Sequence, residues 1–374
     1  MKLKLTTAGE SHGPGLTAII EGLPRGLVID QDFINAALKR RQGGVGRGGR
    51  QNIETDTVVI TAGVRNGMSL GDPLCLTVVN KDCRIDKLKK LSVPRPGHAD
   101  YPGMKRFRTN DLNNIAERSS ARETACQVAA GAVAQLLLKE LGVDVLSYVL
   151  SIGGVSGKEI EGTLSDARQV IVDNPVYCPD IEASKVMVER INDAKKVDDT
   201  LGGVVAVAVD GVPAGLGCVM TKATKLDTLI ASALMGIQAV KGVEIGDGFD
   251  MAHKTGKEVM DCIAIENGKV FHRSNHSGGI EGGMSNGERM RFRVAKKPIS
   301  TQKNPLDSVD MLSRKAIKTA YYRSDVTAVP ALSVITEMVT AFTIAEVIME
   351  TLGSPHIEDV KTNFNNWSQR EAID

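Results

Sequence analysis

The chain has 374 residues, enough for one large domain or two ordinary ones with a substantial core. Its 46 Lys and Arg against 45 Asp and Glu leave a formal charge of +1, and only 3% of the residues are aromatic, which argues against a surface built for nucleic acid or anionic lipid. The six cysteines form no close pairs and no run of about 18 apolar residues occurs, so we expect a soluble cytoplasmic protein with reduced thiols and no membrane segment.

The first half of the chain alternates predicted strands and helices. In chain order the hydrophobic periodicity predicts a strand at 16–21, a helix at 32–41, a strand at 58–62, a glycine hairpin at 67–71, a strand at 74–78 and a long core helix at 121–141. Ser120 and Glu123 stand three residues apart before that helix, and this spacing predicts a capping box.

The second half repeats this order. Its predicted elements are a strand at 204–209, a helix at 226–238, a glycine hairpin at 283–287, a strand at 290–294 and a long core helix at 330–352. We therefore expect one domain over 1–374 that contains two α/β half-repeats, about 1–150 and 200–353, related by a pseudo-twofold axis. The charged stretch at 156–200 is expected to be a connecting insertion with a surface helix at 181–194. The alternative is that the chain contains no duplication, and that the two halves look alike only because Gly-Pro turns and Arg-Ser helix starts are common in proteins.

The first candidate catalytic residue lies in a turn that is flanked by glycines. Residues 9–13 read Gly-Glu-Ser-His-Gly and match the serine-hydrolase pattern G-x-S-x-G, which requires a helix after the serine. A strand is predicted there instead, so we reject a hydrolase. Because no apolar periodicity surrounds His12, proton transfer or contact with an anion is favoured over the role of a satisfied core histidine.

An arginine-glycine segment follows the first helix. Its glycines at 44, 46 and 49 match the dinucleotide pattern G-x-G-x-x-G, but the segment follows a helix and precedes a strand, so the Rossmann interpretation fails. Arginines interleaved with glycines, such as Arg41 and Arg47, can converge on a phosphate or a carboxylate. A flexible solvated loop and an RNA contact are the alternatives.

Further candidates lie in turns and at helix starts. His98 occupies a Pro-Gly turn among basic residues, where an imidazole can exchange protons beside an anionic ligand. Arg118 stands at the mouth of the first long helix, a position that suits an anion. Asp325 has the equivalent place in the second half, and the sequence leaves open whether it is an acid–base residue or a plain helix N-cap.

The histidines His272 and His276 are four residues apart, as metal ligands on a helix can be. A helix is implausible in that glycine-rich run and no third ligand has zinc spacing, so we expect no metal site. From the residues alone, the chain is predicted to bind a multiply anionic small molecule beside two acid–base histidines. The reaction does not follow from the residues.

Five motifs in order resemble one family, chorismate synthase, over essentially the whole chain. They are Gly-Glu-Ser-His-Gly at 9–13, Arg-Pro-Gly-His-Ala-Asp at 95–100, Arg-Ser-Ser-Ala-Arg-Glu-Thr at 118–124, Gly-Gly-Ile-Glu-Gly-Gly at 278–283 and Arg-Ser-Asp at 323–325. The resemblance implies an internally duplicated β-α-β sandwich with helices layered between antiparallel sheets, and a homotetramer. It also implies the anti 1,4-elimination of phosphate from 5-enolpyruvylshikimate 3-phosphate to give chorismate, with reduced FMN and no net redox change.

The resemblance implies a role for individual residues. His12 would protonate the departing phosphate, His98 would hold the proton balance at the reduced flavin, and Asp325 would act through the flavin N5 in removing the ring hydrogen. Arg41 and Arg47 would hold substrate anions. The residues implied to line the flavin are Arg118, Ser119, Ser120, Gln238, Ala239, Gly282, Lys297, Pro298, Ile299, Ser300, Thr301 and Arg323.

Two positions depart from the family pattern. Gln238 stands where many relatives have Asn, and it keeps both donor and acceptor capacity at greater reach. Val326 stands where many have Pro after the aspartate. The resemblance leaves open whether NADPH reduces the flavin on this chain. The rival function is a non-catalytic binder of phosphorylated metabolites or RNA, for which His12 and His98 would be dispensable.

Overall fold

The computed structural model describes residues 2–49, 53–320 and 324–370, which form antiparallel sheets with helices between them. The strands of the first half are β1 (Lys4–Gly9), β2 (Gly15–Glu21), β3 (Val58–Ala62), β4 (Val64–Arg65), β5 (Met68–Ser69) and β6 (Leu74–Val79). Those that follow are β7 (Asp144–Ile152), β8 (Val155–Ser156), β9 (Gly203–Asp210), β10 (Val240–Ile245), β11 (Ile263–Glu266), β12 (Lys269–His272), β13 (Ile280–Glu281), β14 (Met284–Ser285), β15 (Met290–Lys296), β16 (Asp307–Asp310) and β17 (Lys315–Lys318). The α-helices in the described ranges are α1 (Gln31–Gln42), α2 (Asp100–Phe107), α3 (Asn113–Ser119), α4 (Thr124–Glu140), α5 (Leu164–Asp173), α6 (Ile181–Lys196), α7 (Leu226–Met235), α8 (Gly256–Val259), α9 (Val329–Leu352) and α10 (Ile357–Ser368).

The two large sheets repeat one strand order. The first sheet runs β1-β2-β6-β3 and the second runs β10-β15-β9-β7-β8, with antiparallel neighbours throughout. Taken from β7, the second sheet reads β7-β9-β15-β10, so its strands occupy the places of β1, β2, β6 and β3 in the first. The internally duplicated α/β sandwich expected from the sequence is confirmed, whereas the residue limits of the half-repeats stay a prediction.

The two glycine hairpins, β4–β5 and β13–β14, repeat the same hydrogen bonds. The Ser69 hydroxyl donates to the Pro24 carbonyl at 2.6 Å, and the Ser285 hydroxyl donates to the Pro213 carbonyl at 2.6 Å. Each hydroxyl also accepts the backbone amide three residues after that proline, at 3.0 and 2.9 Å. Each hairpin is thus tied to the Gly-Pro turn of its own half by one buried serine.

The core lies between the sheets. Helix α4 packs on β2 and β6, α9 packs on β7 and β9, and the two helices pack against each other, with α1 and α7 beside them. Helix α9 is long and apolar enough to cross a membrane, but 89% of its apolar window is buried inside the fold. It is therefore the core helix that the sequence predicts at 330–352.

The contact between α4 and α9 is tightest at Gly131. A Cβ at this position would overlap the backbone carbonyl and the Cβ of Met338. We expect Gly131→Ala to lower the free energy of unfolding by about 1–3 kcal/mol through overpacking, although alanine is the better helix former. Urea denaturation measures this. Gly256→Ala is the matched control, because a Cβ there meets no described atom within 4 Å. A Gly131→Ala protein as stable as the control would contradict the close packing.

The capping box predicted at Ser120 is wrong. Ser120 accepts the amide of Arg122 at 3.2 Å and so caps a single 3₁₀ turn, and α4 begins only at Thr124. The Glu123 carboxylate does not accept the backbone amide of Ser120, as a capping box requires. It accepts the hydroxyl of Thr7 on β1 at 2.7 Å, because the turn brings it against the first sheet.

The second-half helix predicted at 226–238 ends early. The amide of Gly236 bonds the carbonyls of Leu234 and Ser232, which closes α7 after Met235. The chain then turns through Ala239, which has the left-handed φ of +69°. Gln238 and Ala239 therefore lie in a turn that leads into β10, outside the helix.

Candidate active site

His12 lies in the turn between β1 and β2 and is held by two other segments. Its Nδ1 is 2.7 Å from Glu117 Oε1 on α3, and its Nε2 is 3.6 Å from Asp82 Oδ2. The amides of Arg84 and Ile85 donate to the His12 carbonyl at 3.0 and 3.1 Å. The side chain is 18% exposed, so a ligand can reach the ring although the backbone around it is fixed.

The segment 118–120 borders the His12 turn. The Ser120 hydroxyl donates to the hydroxyl of Ser11 at 3.1 Å. Arg118 donates to the carbonyls of Gly9 and Thr7 at 3.4 and 3.2 Å, while its side chain remains 47% exposed. Ser119 donates to the carbonyl of Ala116 at 3.5 Å. The three residues predicted to contact a flavin thus lie side by side, with the Arg118 guanidinium open to a ligand.

His98 is paired with a buried carboxylate. Its Nδ1 lies 2.6 Å from Asp100 Oδ1, and Arg95 donates to both Asp100 oxygens at 2.8 and 2.9 Å. Burial alone would raise the pKa of the Asp100 carboxyl, but the hydrogen bonds from His98 and Arg95 outweigh it and hold the pKa well below its usual range. His98 is therefore oriented by an anion in the same manner as His12.

The segment 297–301 joins the His98 loop to the other flavin candidates. Lys297 Nζ donates to the Gly97 carbonyl, and the Thr301 hydroxyl accepts from Arg95 at 3.2 Å. On its other side, the Lys297 amide donates to the Ala239 carbonyl at 3.0 Å. Ile299 is fixed through its carbonyl, which accepts the Thr200 hydroxyl at 2.9 Å. Segments far apart in the chain therefore converge here.

Gln238 completes this connection. Its Nε2 lies 3.4 Å from Glu123 Oε2, and Glu123 Oε1 accepts from Thr7, the residue that Arg118 also contacts. Gln238 Oε1 is buried and has no hydrogen-bond partner among the described residues. A ligand with an N–H group would satisfy this acceptor.

Asp325 faces the arginine-glycine segment. Its Oδ2 lies 2.7 Å from Arg47 Nη1, and its Oδ1 accepts the Gly48 amide at 2.5 Å. The residue that occupies the N-cap of α9 is Ala328, so the N-cap interpretation of Asp325 is wrong. The carboxylate is 20% exposed, so it is partly accessible to a ligand although Arg47 pairs with it.

A buried lysine beside this pair was missed from the sequence. Burial lowers the pKa of Lys296 to about 8, with the charge of Arg47 adding to the fall and Asp325 opposing it. A signal was present: Met290, Phe292 and Val294 alternate as inward positions of β15, and Lys296 is the next inward position. Because lysine is almost never buried unless it is paired, its position on this apolar face predicts charged groups close by.

The Arg41 guanidinium is held by three protein partners in the core. Its Nε donates to Thr124 at 2.9 Å, its Nη2 donates to the Ala121 carbonyl at 3.0 Å, and its Nη1 lies 3.3 Å from Asp56 Oδ2. Burial lowers the pKa of Arg41 to about 10, against the attraction of Asp56. The guanidinium therefore supports the start of α4 from within the core.

The other candidates fall in different places. Gly282 forms the turn of hairpin β13–β14 with φ of +59°, and a Cβ there would meet no described atom within 4 Å. Pro298 and Ser300 lie within the converging segment 297–301. Arg323 lies outside the described residues. Within 2–49, 53–320 and 324–370, no three His, Cys, Asp or Glu side chains are grouped as metal ligands.

The fold and the site define a class: an internally duplicated α/β enzyme with two histidine–carboxylate pairs beside the basic side chains of Arg118 and Lys297. The family model for chorismate synthase matches residues 3–349. The chain is 45% identical to a chorismate synthase of Desulforamulus reducens and 46% identical to one of Thermoanaerobacter pseudethanolicus, with 98% of each chain covered. A solved crystal structure of chorismate synthase superposes with a TM-score of 0.80 at 36% identity, covering 98% of both chains. The chain belongs to the chorismate synthase family.

Membership fixes the type of reaction. The family consists of lyases of the shikimate pathway, which serves aromatic amino acid biosynthesis, and it requires a reduced flavin. The chain is accordingly a lyase that acts on a phosphorylated small molecule.

Proposed function

We propose that this chain forms chorismate from 5-enolpyruvylshikimate 3-phosphate by anti 1,4-elimination, with reduced FMN bound by 118–120, 238–239, 297–301, Gly282 and Arg323. The observation that carries the proposal is the hydrogen-bonded convergence of the first three segments beside His12 and His98. When bound, reduced flavin supplies electron density to a reaction that has no net redox change.

The residues present suit that cofactor. The unpartnered buried oxygen of Gln238 can accept a ring N–H, and the exposed Arg118 guanidinium can pair with a phosphate. The greater reach of Gln238 relative to asparagine does not remove this capacity. The exposed turn at Gly282 leaves room for close approach of a ligand.

His12 is the proposed proton donor to the leaving group. As the C–O bond breaks, its electron pair leaves with the phosphate, and a proton from His12 Nε2 neutralises part of the new charge. Arg47 is the proposed contact for a substrate anion, since its side chain lies beside Asp325, the proposed acid–base carboxylate. Arg41, which was predicted to share this role, would have to leave three protein partners to do so.

Asp325 and His98 are the proposed groups that manage the second proton. The ring hydrogen departs as a proton while the electron pair of its C–H bond moves into the ring π system, and Asp325 is the proposed carboxylate that helps to remove it. His98 is the proposed second acid–base group, beside the segment 297–301 and with its ring oriented by Asp100. One proton enters the enzyme from the ring and one leaves it on the phosphate, so His12 and Asp325 regain their starting states once a proton has passed between them through solvent.

The proposal extends to the assembly and the source of electrons. We propose a cytoplasmic homotetramer, as the family resemblance implies, and NADPH as a reductant that this chain can use. Sedimentation of the purified protein would measure the first. Anaerobic bleaching of the absorbance of bound FMN by NADPH would measure the second.

The decisive experiment is an anaerobic assay with chemically reduced FMN and 5-enolpyruvylshikimate 3-phosphate. We expect chorismate absorbance to rise together with the release of inorganic phosphate in equal amounts. Oxidised FMN under the same conditions is the control, and it should give no product. Absence of product with fully reduced FMN would overturn the proposed function.

A further inference from the structure

Glu117, near the C-terminal end of α3, forms hydrogen bonds to the turn that contains His12. Its Oε1 lies 2.7 Å from His12 Nδ1, and its Oε2 accepts the His12 amide at 2.6 Å. Its own carbonyl accepts the Ser11 amide at 3.1 Å. The carboxylate side chain is only 8% exposed. One residue that is 105 positions away in the sequence therefore fixes both the backbone and the ring of His12.

The hydrogen-bonding capacity of a carboxylate decides which ring nitrogen is left for chemistry. An ionised carboxylate only accepts, so His12 Nδ1 carries the hydrogen in this contact. Nε2 then faces the opposite side, where Asp82 Oδ2 at 3.6 Å is beyond hydrogen-bond distance. Nε2 is thus the nitrogen that can give a proton to a ligand.

We propose that Glu117 is a positioning residue that orients His12 as the proton donor. The inference rests on the proposed function, in which His12 Nε2 protonates the departing phosphate. A carboxylate behind an imidazole fixes the tautomer and the ring direction, and it stabilises the doubly protonated ring that a general acid requires. Glu117 acts on the reaction only through His12.

A glutamine cannot replace this arrangement. The glutamate offers two acceptor oxygens to two donors, the Nδ1–H and the backbone amide of His12. A glutamine of the same shape has one acceptor oxygen and one NH₂ donor. In one of the two contacts two N–H donors would then face each other, and that hydrogen bond is lost. Glu117→Gln therefore keeps the volume and loses the orientation, whereas Glu117→Asp keeps both acceptors on a shorter side chain.

The test is a double-mutant cycle with Glu117→Gln, His12→Ala and the double variant, assayed with reduced FMN and the substrate. We expect Glu117→Gln alone to lower kcat on the order of 100-fold, inside the ~10²–10⁴ that a general acid supplies, with KM held within about two-fold. In the His12→Ala background the same change should cost nothing further, because the residue through which Glu117 acts is gone. Asp86→Asn, an exposed carboxylate on the loop beside His12, is the control.

The outcomes separate this inference from the proposed function. If His12→Ala retains full activity, the role of His12 fails and the inference fails with it. If His12→Ala is slowed as expected but Glu117→Gln lowers kcat by the same factor in both backgrounds, or raises KM alone, only the inference is overturned. Should Glu117→Gln not fold, Glu117→Asp takes its place in the cycle, with a smaller loss of kcat that must also vanish without His12.

Discussion

Replacing His12 with alanine is expected to lower kcat by ~10²–10⁴-fold, because the phosphate then departs without a proton donor at hydrogen-bond distance. KM should change little, since the substrate contact assigned to Arg47 remains. Steady-state kinetics with reduced FMN measure both constants, and fluorescence titration measures FMN binding separately. His253→Ala is the matched control, because that histidine is exposed on the opposite half of the sequence.

The result discriminates between the two functions that the sequence leaves open. A catalytic site loses rate while ligand binding is retained. A non-catalytic binder of phosphorylated metabolites or RNA would show no chorismate formation in the unmodified protein and no effect of His12→Ala. His98→Ala should also slow turnover. Unchanged kcat in both variants would remove the histidines from the mechanism.

Replacing Glu337 with glutamine is expected to lower the free energy of unfolding by about 3–5 kcal/mol, the typical cost of breaking a buried ion pair from one side. Glu337 is fully buried in α9 and bonds Arg40 through both oxygens at 3.0 and 3.1 Å, as well as the Ser147 amide at 3.0 Å. The substitution leaves the partly buried Arg40 cation without its counter-charge. Urea denaturation at neutral pH measures the loss.

The same pair makes stability depend on pH in a defined direction. Burial alone would raise the pKa of Glu337, but the charge and hydrogen bonds of Arg40 lower it below its usual value. The folded state therefore binds this proton less readily than the unfolded state, and the contribution is complete above the unfolded pKa of about 4.3 and lost as pH falls. Glu337→Gln should flatten that acid limb. Glu182→Gln, which breaks an exposed pair with Lys185, should change stability by at most ~1 kcal/mol.

Local pattern was sufficient for the frame of the molecule. The alternation at 16–21 and 204–209 identifies β2 and β9, and the apolar stripes identify α4 and α9, because strand and helix periods are properties of short segments. The glycine hairpins could be paired across the halves for the same reason. The predicted ends were less accurate where a turn intervened, as after Met235.

Contacts between distant segments could not be predicted from local sequence patterns. The pairing of His12 with Glu117 and of Gly48 with Asp325 joins residues 105 and 277 positions apart, and nothing in either segment specifies its partner. Arg41 is the clearest case. Its position beside glycines predicted an exposed anion contact, but its side chain lies on the inner face of α1, where Asp56 and the start of α4 receive it. Resemblance to a family supplied the candidate roles, while packing decided which side chains face the pocket.

The repeated strand order has a consequence for how the gene product could be divided. His12, His98 and Arg118 come from the half that precedes β9, whereas Gln238, Lys297 and Asp325 come from the half that follows. A polypeptide severed within the connection between α6 and β9 would distribute these groups over two fragments. The fragment before the cut would carry the first sheet and strands β7 and β8 of the second, and each fragment would have an incomplete set of reactive groups. Turnover would require the two to reassociate, with β7 again paired with β9 and α4 packed against α9.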